Sequence, residues 1–324
     1  MSFTLSFDER EWRLREPFVI ARGSAVTQPT LMVTIEDEFG LRGRGEACGV
    51  DYHGENVATM RREVESCRRE IEKGVSREVL QHLLPAGGAR NMVDCALWDL
   101  EAKQSGRSLF DGLPFPQPTA FTIGIRSLDA YEESARQHAG FPLLKVKVGS
   151  DDPVPVVAAV RRGAPHPKLI VDPNQAWTSS ELKRYAPALA EFGVVLIEQP
   201  VAVGAEAELA GWQSPVPLCA DELVGTRDDL PRVAGLFDCI NIKLDKTGGL
   251  TEALLLAEEA RRMGLRLMAG CMAGSSLCMA PSVVLAPLCS FIDLDGPLLQ
   301  TEDLMPALTY RDGWIDRPPA ALWG

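Results

Sequence analysis

No basic run or stripe interrupts the acidic balance of this sequence: 33 lysines and arginines stand against 45 aspartates and glutamates, a formal charge of −12. That argues against a phosphate backbone or an anionic membrane as a general partner. No apolar run approaches the roughly 18 residues of a membrane span. The opening "MSFTLSFDEREWRLREPF" also lacks a basic segment followed by an apolar core. A cytoplasmic location is therefore expected, with neither membrane nor nucleic acid as partner. The eight cysteines, at 48, 67, 95, 219, 239, 271, 278 and 289, form no close pair at zinc-site spacing, so reduced and mostly buried thiols are expected. The glycine fingerprint of a dinucleotide-binding first turn is missing too.

What is present is a chain of 324 residues, 46% hydrophobic and 24% charged, long enough for one large domain or two ordinary ones. Three prolines in "LPFPQPT", 113–119, mark a change of character. Upstream, alternating segments such as "TLMVTIEDE" read as a small antiparallel sheet. Helical patterns follow in "ENVATMRREVESCRREIEKG" and "GGARNMVDCALWDLEAKQSG", the second stopping at Gly106. Downstream, eight β-type runs ("AFTIGI", "LLKVKV", "KLIVD", "VVLIEQ", "PLCADE", "CINIKL", "LRLMAG", "FIDLD") recur every 22 to 28 residues with helix-type intervals between them. Such alternation implies a parallel sheet, and eight parallel strands is the number that closes a barrel. An α/β fold is expected, a (β/α)7β barrel over 116–295, with an open doubly wound sheet as the alternative.

Active sites of parallel barrels sit at the carboxyl ends of the strands. Here a charged residue closes run after run: Lys147, Asp172, Glu198, Asp221, Lys243, then Asp293 with Asp295. One strand-end carboxylate is ordinarily a helix cap or a surface charge, but six successive cases are not explained that way. Strands two and six oppose each other in a closed barrel, which sets Lys147 against Lys243 with Asp172, Glu198 and Asp221 on the arc between. Three converging carboxylates repel unless a hard cation balances them, and oxygen-only ligands favour Mg²⁺. A metal between two lysines suits removal of a proton alpha to a carboxylate through an enediolate, with one lysine taking the proton and the other returning it to the opposite face. Lys145 shares a strand face with Lys147 and is expected to lower its neighbour's proton affinity. Asp293 and Asp295, also two apart, suit an ammonium group; the plainer reading is a pair capping a turn before Gly296.

"KVKVG", "VDPNQAW", "IEQP", "CADE" and "NIKLDKTGGLTEAL" resemble the successive barrel signatures of the enolase superfamily, in its muconate-lactonizing subgroup. "PFVIARGS", "LPAGGARNMVDCALWDLEAK", "AGCM" and "DLDGP" are similar to its dipeptide epimerases. The resemblance covers nearly the whole chain. It implies a barrel of the modified TIM type, an α+β capping domain over 1–115, and a tail, 296–324, packing back on it. It also implies Lys147 and Lys243 as catalytic acid and base, with one Mg²⁺ on Asp172, Glu198 and Asp221. Substrate contacts are implied at Lys145, Thr122, Cys271 and Met272, at Asp293 and Asp295 for a dipeptide's ammonium group, and at Arg22, on a mobile lid loop, for a glutamyl carboxylate. Tyr52 and His53 fall in a second loop over the mouth. The implied reaction interconverts L-Ala-L-Glu and L-Ala-D-Glu in murein peptide metabolism; a cycloisomerase, an o-succinylbenzoate synthase-type lyase and a non-catalytic metal or peptide binder remain alternatives. Pro173 departs from the family's pattern, and the small residues of "CMAGSS" are expected to enlarge the pocket. The preferred side chain is left open, as is a homo-oligomer.

Overall fold

The alternating amino-terminal runs form an antiparallel sheet of β1 (Phe3–Ile20), β2 (Gly23–Asp37) and β3 (Arg42–Ala47) in the computed structural model, which describes residues 2–324. Helices α1 (Val57–Ser66), α2 (Arg68–Glu72), α3 (Arg77–Leu83) and α4 (Gly88–Ser105) follow. The segment expected as one helix before residue 74 breaks at Cys67 into α1 and α2. Gly106 ends α4 in the left-handed conformation, φ 65°, as its position predicts. Gly43 and Gly45 let β3 lie directly on α4, since a Cβ at either would fall on the carbonyl oxygen of Ala96 or Met92. Almost every face of α4 is buried, because it also meets the second half of the chain: Arg90 donates to the carbonyls of Thr247 (2.7 Å) and Gly248 (3.1 Å).

After β4 (Gln117–Pro118), the eight predicted runs appear as β5 (Ala120–Ile123), β6 (Leu143–Lys147), β7 (Lys168–Asp172), β8 (Val194–Glu198), β9 (Leu218–Ala220), β10 (Cys239–Ile242), β11 (Arg266–Ala269) and β12 (Phe291–Ile292). They pair in that order, all parallel. The intervening helices are α5 (Leu128–Gln137), α6 (Val154–Gly163), α7 (Ser179–Glu191), α8 (Leu230–Val233), α9 (Leu244–Thr247), α10 (Leu250–Arg262) and α11 (Ser276–Met279). One expected helix is missing. Between β8 and β9 there is a single 3₁₀ turn, Glu206–Leu209, because Gly204, Gly211, Pro215 and Pro217 leave no uninterrupted helical stretch.

Each barrel strand contributes one apolar side chain to a common interior floor: Ala120, Leu143, Ile170, Leu196, Cys219, Cys239, Met268 and Phe291. Two residues further along each strand direction stand Thr122, Lys145, Asp172, Glu198, Asp221, Asn241, Gly270 and Asp293. The period of two that turns alternate side chains to one face thus stacks a polar layer on an apolar one. Gly270 has no side chain because the Asn241 amide occupies the space its Cβ would take. The first and last strands share no ladder; instead Thr122 N donates to Asp295 Oδ2 (2.6 Å), Thr122 Oγ1 to Asp293 Oδ1 (3.2 Å) and Leu294 N to Thr119 Oγ1 (3.0 Å).

The carboxyl-terminal segment contacts both halves. β13 (Tyr310–Arg311) and β14 (Trp314–Ile315) add to β4, while Trp323 Nε1 donates to Cys95 O (2.9 Å) and Gly324 N to Asp99 Oδ1 (2.9 Å) on α4. Among the described residues no helix is long and apolar enough to cross a membrane. All eight cysteines are free thiols, six of them buried.

Two stability tests follow from this packing. Gly45→Ala drives a methyl into α4 backbone and should cost about 1–3 kcal/mol or more in chemical denaturation, whereas Gly23→Ala, with open space around it, should stay within about 0.5 kcal/mol. Asp94 on α4 accepts from Thr251 N (2.9 Å) and Gln81 Nε2 (3.1 Å), and burial pushes its carboxyl up to about 6. A carboxyl raised in the folded state stabilises fully below its unfolded value, near 4, and that contribution is lost as pH rises through about 6. Asp94→Asn should therefore flatten the decline in unfolding free energy between pH 4 and 7; an unchanged slope contradicts the assignment.

Candidate active site

Lys147, Asp172 and Glu198 are the last residues of β6, β7 and β8, while Asp221 and Lys243 directly follow β9 and β10. Beside them opens a cavity of about 340 Å³. Its walls include Lys145, Lys147, Lys243, Thr122, Cys271, Met272, Asp293, Asp295, Arg22 and Asn174. Asp172, Glu198 and Asp221 are 0%, 0% and 1% exposed and lie beneath these walls.

Every carboxylate of this layer is met by an ammonium group. Lys147 Nζ donates to Asp172 Oδ2 (2.6 Å) and Lys243 Nζ to Asp221 Oδ2 (2.6 Å). Lys145 Nζ donates to Glu198 Oε1 (3.0 Å) and Asp293 Oδ2 (2.9 Å) and lies 3.3 Å from Asp172. Burial alone would lower the Lys145 and Lys243 values, but Asp293, Glu198 and Asp172 around the first and Asp221 beside the second outweigh it and hold both above the usual lysine range. The same pairings overcome burial to depress Asp172 and, more strongly, Asp221. Glu198 goes the other way: burial and the Asp172 charge push it up to about 7. Lys145 is thus a fixed positive charge joined to three carboxylates.

Asp293 and Asp295 are each 3% exposed. Asp295 begins the 3₁₀ turn Gly296–Leu299, yet its side chain caps nothing there and reaches across the barrel seam to Thr122. Turn capping is therefore set aside for Asp295. Burial and Asp293 push its carboxyl up to about 7.

Arg22 occupies a two-residue turn between β1 and β2. Phe18↔Ala25, Val19↔Ser24 and Ile20↔Gly23 pair on either side, leaving Ala21 and Arg22 between strands. Val19 O accepts from Ile125 N (2.8 Å), which docks this hairpin end on the first barrel loop. The Arg22 guanidinium pairs with Glu222 and lies 5.0 Å from the Tyr52 ring centroid. The Tyr52 hydroxyl is buried without a partner, whereas His53 is exposed. Their loop is held by carboxylates: Asp245 Oδ1 accepts from Cys48 N (3.0 Å) and Gly49 N (2.9 Å), and Glu55 from Val50 N (2.7 Å) and Gly88 N (3.0 Å). Of "CMAGSS", Cys271, Met272 and Ala273 line the cavity, while the three residues after them pack away from it. A Cβ at Gly274 would meet the Cys278 and Cys48 sulfurs, and Ser275 and Ser276 bond Glu46 and Asp303.

Four further residues enter the site. Asn241 Nδ2 donates to Glu198 Oε1 (2.9 Å), and Lys246 Nζ to Asp221 Oδ1 (2.7 Å) and Asn241 O (2.9 Å). Asn174 N donates to Asp172 Oδ1 (2.9 Å), and Glu222 holds Arg22. Asn241 was discoverable by the rule that singled out Lys145, since it lies two residues before Lys243. Glu222 carried no such signal.

Glu222 Oε2, Asn174 Oδ1 and Asn241 Oδ1 are buried and accept no hydrogen bond, while Glu198 Oε2 meets Lys145 Nζ at 2.8 Å. Orphaned oxygens beside three carboxylates form an oxygen-only donor set that fits a hard cation. With lysines paired to them, Asp172, Glu198 and Asp221 do not converge within 4.8 Å of one another.

Residues 130–321 match the family model "Enolase C-terminal domain-like", and residues 3–113 match "Mandelate racemase / muconate lactonizing enzyme, N-terminal domain". The chain is similar to the L-Ala-D/L-Glu epimerase of Escherichia coli K12, at 42% identity over 96% of this chain and 98% of that protein. It is also similar to an N-acetyl-D-glutamate racemase from Pseudoalteromonas sp., at 40% identity over 91% and 94%. Among solved structures, an enolase family member from Agrobacterium tumefaciens, with bound sodium and L-Ala-L-Glu, superposes with a TM-score of 0.95 at 40% identity, covering 99% of this chain and 100% of that one. A dipeptide epimerase from Enterococcus faecalis V583, with Mg and L-Leu-L-Tyr, gives 0.90 at 26% identity, covering 98% of each. The chain therefore belongs to the mandelate racemase/muconate lactonizing enzyme family of the enolase superfamily.

Proposed function

We propose that this isomerase inverts the alpha carbon of the carboxy-terminal residue of a dipeptide, L-Ala-L-Glu to and from L-Ala-D-Glu, in the turnover of murein peptides. The observation that carries the reading is the pair Lys147 and Lys243 on the wall of one cavity with Asp293 and Asp295. Two lysines suit a two-base exchange, in which one removes the alpha proton and the other delivers a proton to the opposite face. The two aspartates suit a free ammonium group, which the substrates of a cycloisomerase or an o-succinylbenzoate synthase do not have. They also disfavour N-acetylglutamate, the kind of substrate named for the Pseudoalteromonas relative.

Asp172, Glu198 and Asp221 would hold one Mg²⁺, with the orphaned oxygens of Asn174 and Asn241 nearby. The chemistry supplied there is positive charge, which offsets the carboxylates now paired with lysines and stabilises the charge developing on the substrate carboxylate. Lys145 adds a fixed ammonium group beside that position. Arg22 would exchange its Glu222 partner for the side-chain carboxylate of the glutamyl residue. Thr122, Cys271 and Met272 complete the walls around the substrate, and residues 1–115 with the tail act as a cap that keeps bulk water from the reacting carbon.

Proton NMR in D₂O, with Mg²⁺ and L-Ala-L-Glu, tests this directly. Deuterium should enter the glutamyl alpha position with inversion, while N-acetylglutamate should react at least about tenfold more slowly. Lys147→Ala and Lys243→Ala should each lose inversion by about 100-fold or more. Each should keep exchange with the one stereoisomer that faces the remaining lysine. No uptake with any dipeptide sinks the reaction, and full activity in both variants sinks the two-base assignment.

A further inference from the structure

Behind the wall of the same cavity, which Cys48 lines, three donor side chains meet that the proposed chemistry does not use. Cys48 directly follows β3, Asp245 is in α9 and Cys278 in α11. All three are buried, and one ligand atom from each lies within 4.8 Å of the other two. Cys48 Sγ contacts the carbonyl oxygen of Ala273. Gly274 packs against them: a Cβ there would stand 3.0 Å from Cys278 Sγ and 3.2 Å from Cys48 Sγ.

The donor chemistry differs from that of the strand-end carboxylates. Two sulfurs and one carboxylate make a mixed set of borderline softness, matched to zinc or cadmium and poorly matched to magnesium. Tetrahedral coordination at sulfur distances of about 2.3 Å places two sulfurs about 3.8 Å apart, within the span these residues already occupy. Burial, with Asp245 and Glu46 nearby, pushes both thiols up, so an ion binding here must displace their protons. Cys48 and Ala273 line the cavity, so an ion has a route in from the mouth.

We propose that Cys48, Asp245 and Cys278 form a second cation site, for a thiophilic divalent ion of the zinc or cadmium class, distinct from the oxygen-only site on Asp172, Glu198 and Asp221. An ion there ties the end of the amino-terminal sheet to two helical segments of the barrel. Because Asp245 lies two residues beyond Lys243, occupancy also couples this seam to the catalytic layer. The site requires no particular substrate, so it stands whether or not the dipeptide reading does.

The test is a cadmium titration of the full-length protein in millimolar Mg²⁺, which keeps the hard-cation site from competing. Ultraviolet thiolate-to-cadmium charge-transfer absorption should grow and saturate at one equivalent. Cys48→Ser and Cys278→Ser should each abolish most of the band and weaken binding about 100-fold; Asp245→Asn should keep the band and bind about tenfold more weakly; Cys67→Ser should match the parent protein. Absence of the band in the unmutated protein, or its survival in both Cys48→Ser and Cys278→Ser, overturns the proposal. Should a variant fail to fold, X-ray absorption on the zinc-loaded parent protein decides: two sulfur neighbours at about 2.3 Å are expected, and nitrogen and oxygen neighbours alone overturn it.

Discussion

The structure turns on a balance of buried charge at the carboxyl ends of the barrel strands. Asp172, Glu198, Asp221 and Asp293 are buried close together and would repel one another, and four ammonium groups, on Lys145, Lys147, Lys243 and Lys246, stand among them. Taking one partner out of such a buried set costs about 3–5 kcal/mol, because the remaining charge is left unpaired. No part of the layer can therefore be altered in isolation.

The layer exists because of strand geometry. An apolar residue in each strand fills the floor, and the residue two further on faces the mouth, so the floor is dry and the charges above it interact across a medium that screens them poorly. Asp293 and Asp295 serve two ends at once. They close the barrel seam through Thr122 while presenting carboxylates to the cavity, which ties the integrity of the fold to the residues proposed to hold the substrate. The amino-terminal half reaches this mouth by its β1–β2 turn and by the loop anchored on Asp245 and Glu55, and the flat approach of β3 to α4 fixes where both stand.

Much of this was legible in the sequence because it rests on local periodicity. The spacing of 22 to 28 residues marked the strands, and the period of two marked Lys145 with Lys147 and Asp293 with Asp295. What was not legible depends on contacts between distant segments. The pairing of Arg22 with Glu222 joins residues 200 apart, and the strict pairing on either side of Arg22 cannot be read from "IARGS". The packing of Cys48, from the other half of the chain, against Gly274 likewise cannot be read from "CMAGSS". The missing helix after β8 was foreshadowed by its glycines and prolines, which the regular spacing outweighed.

A crystal structure with Mg²⁺ and L-Ala-L-Glu bound tests the central claim most directly. Lys147 Nζ and Lys243 Nζ should stand on opposite faces of the glutamyl alpha carbon, with Asp172, Glu198 and Asp221 gathered on the cation and the dipeptide ammonium group against Asp293 and Asp295. Both lysines on one face, or a cation held elsewhere, would contradict it.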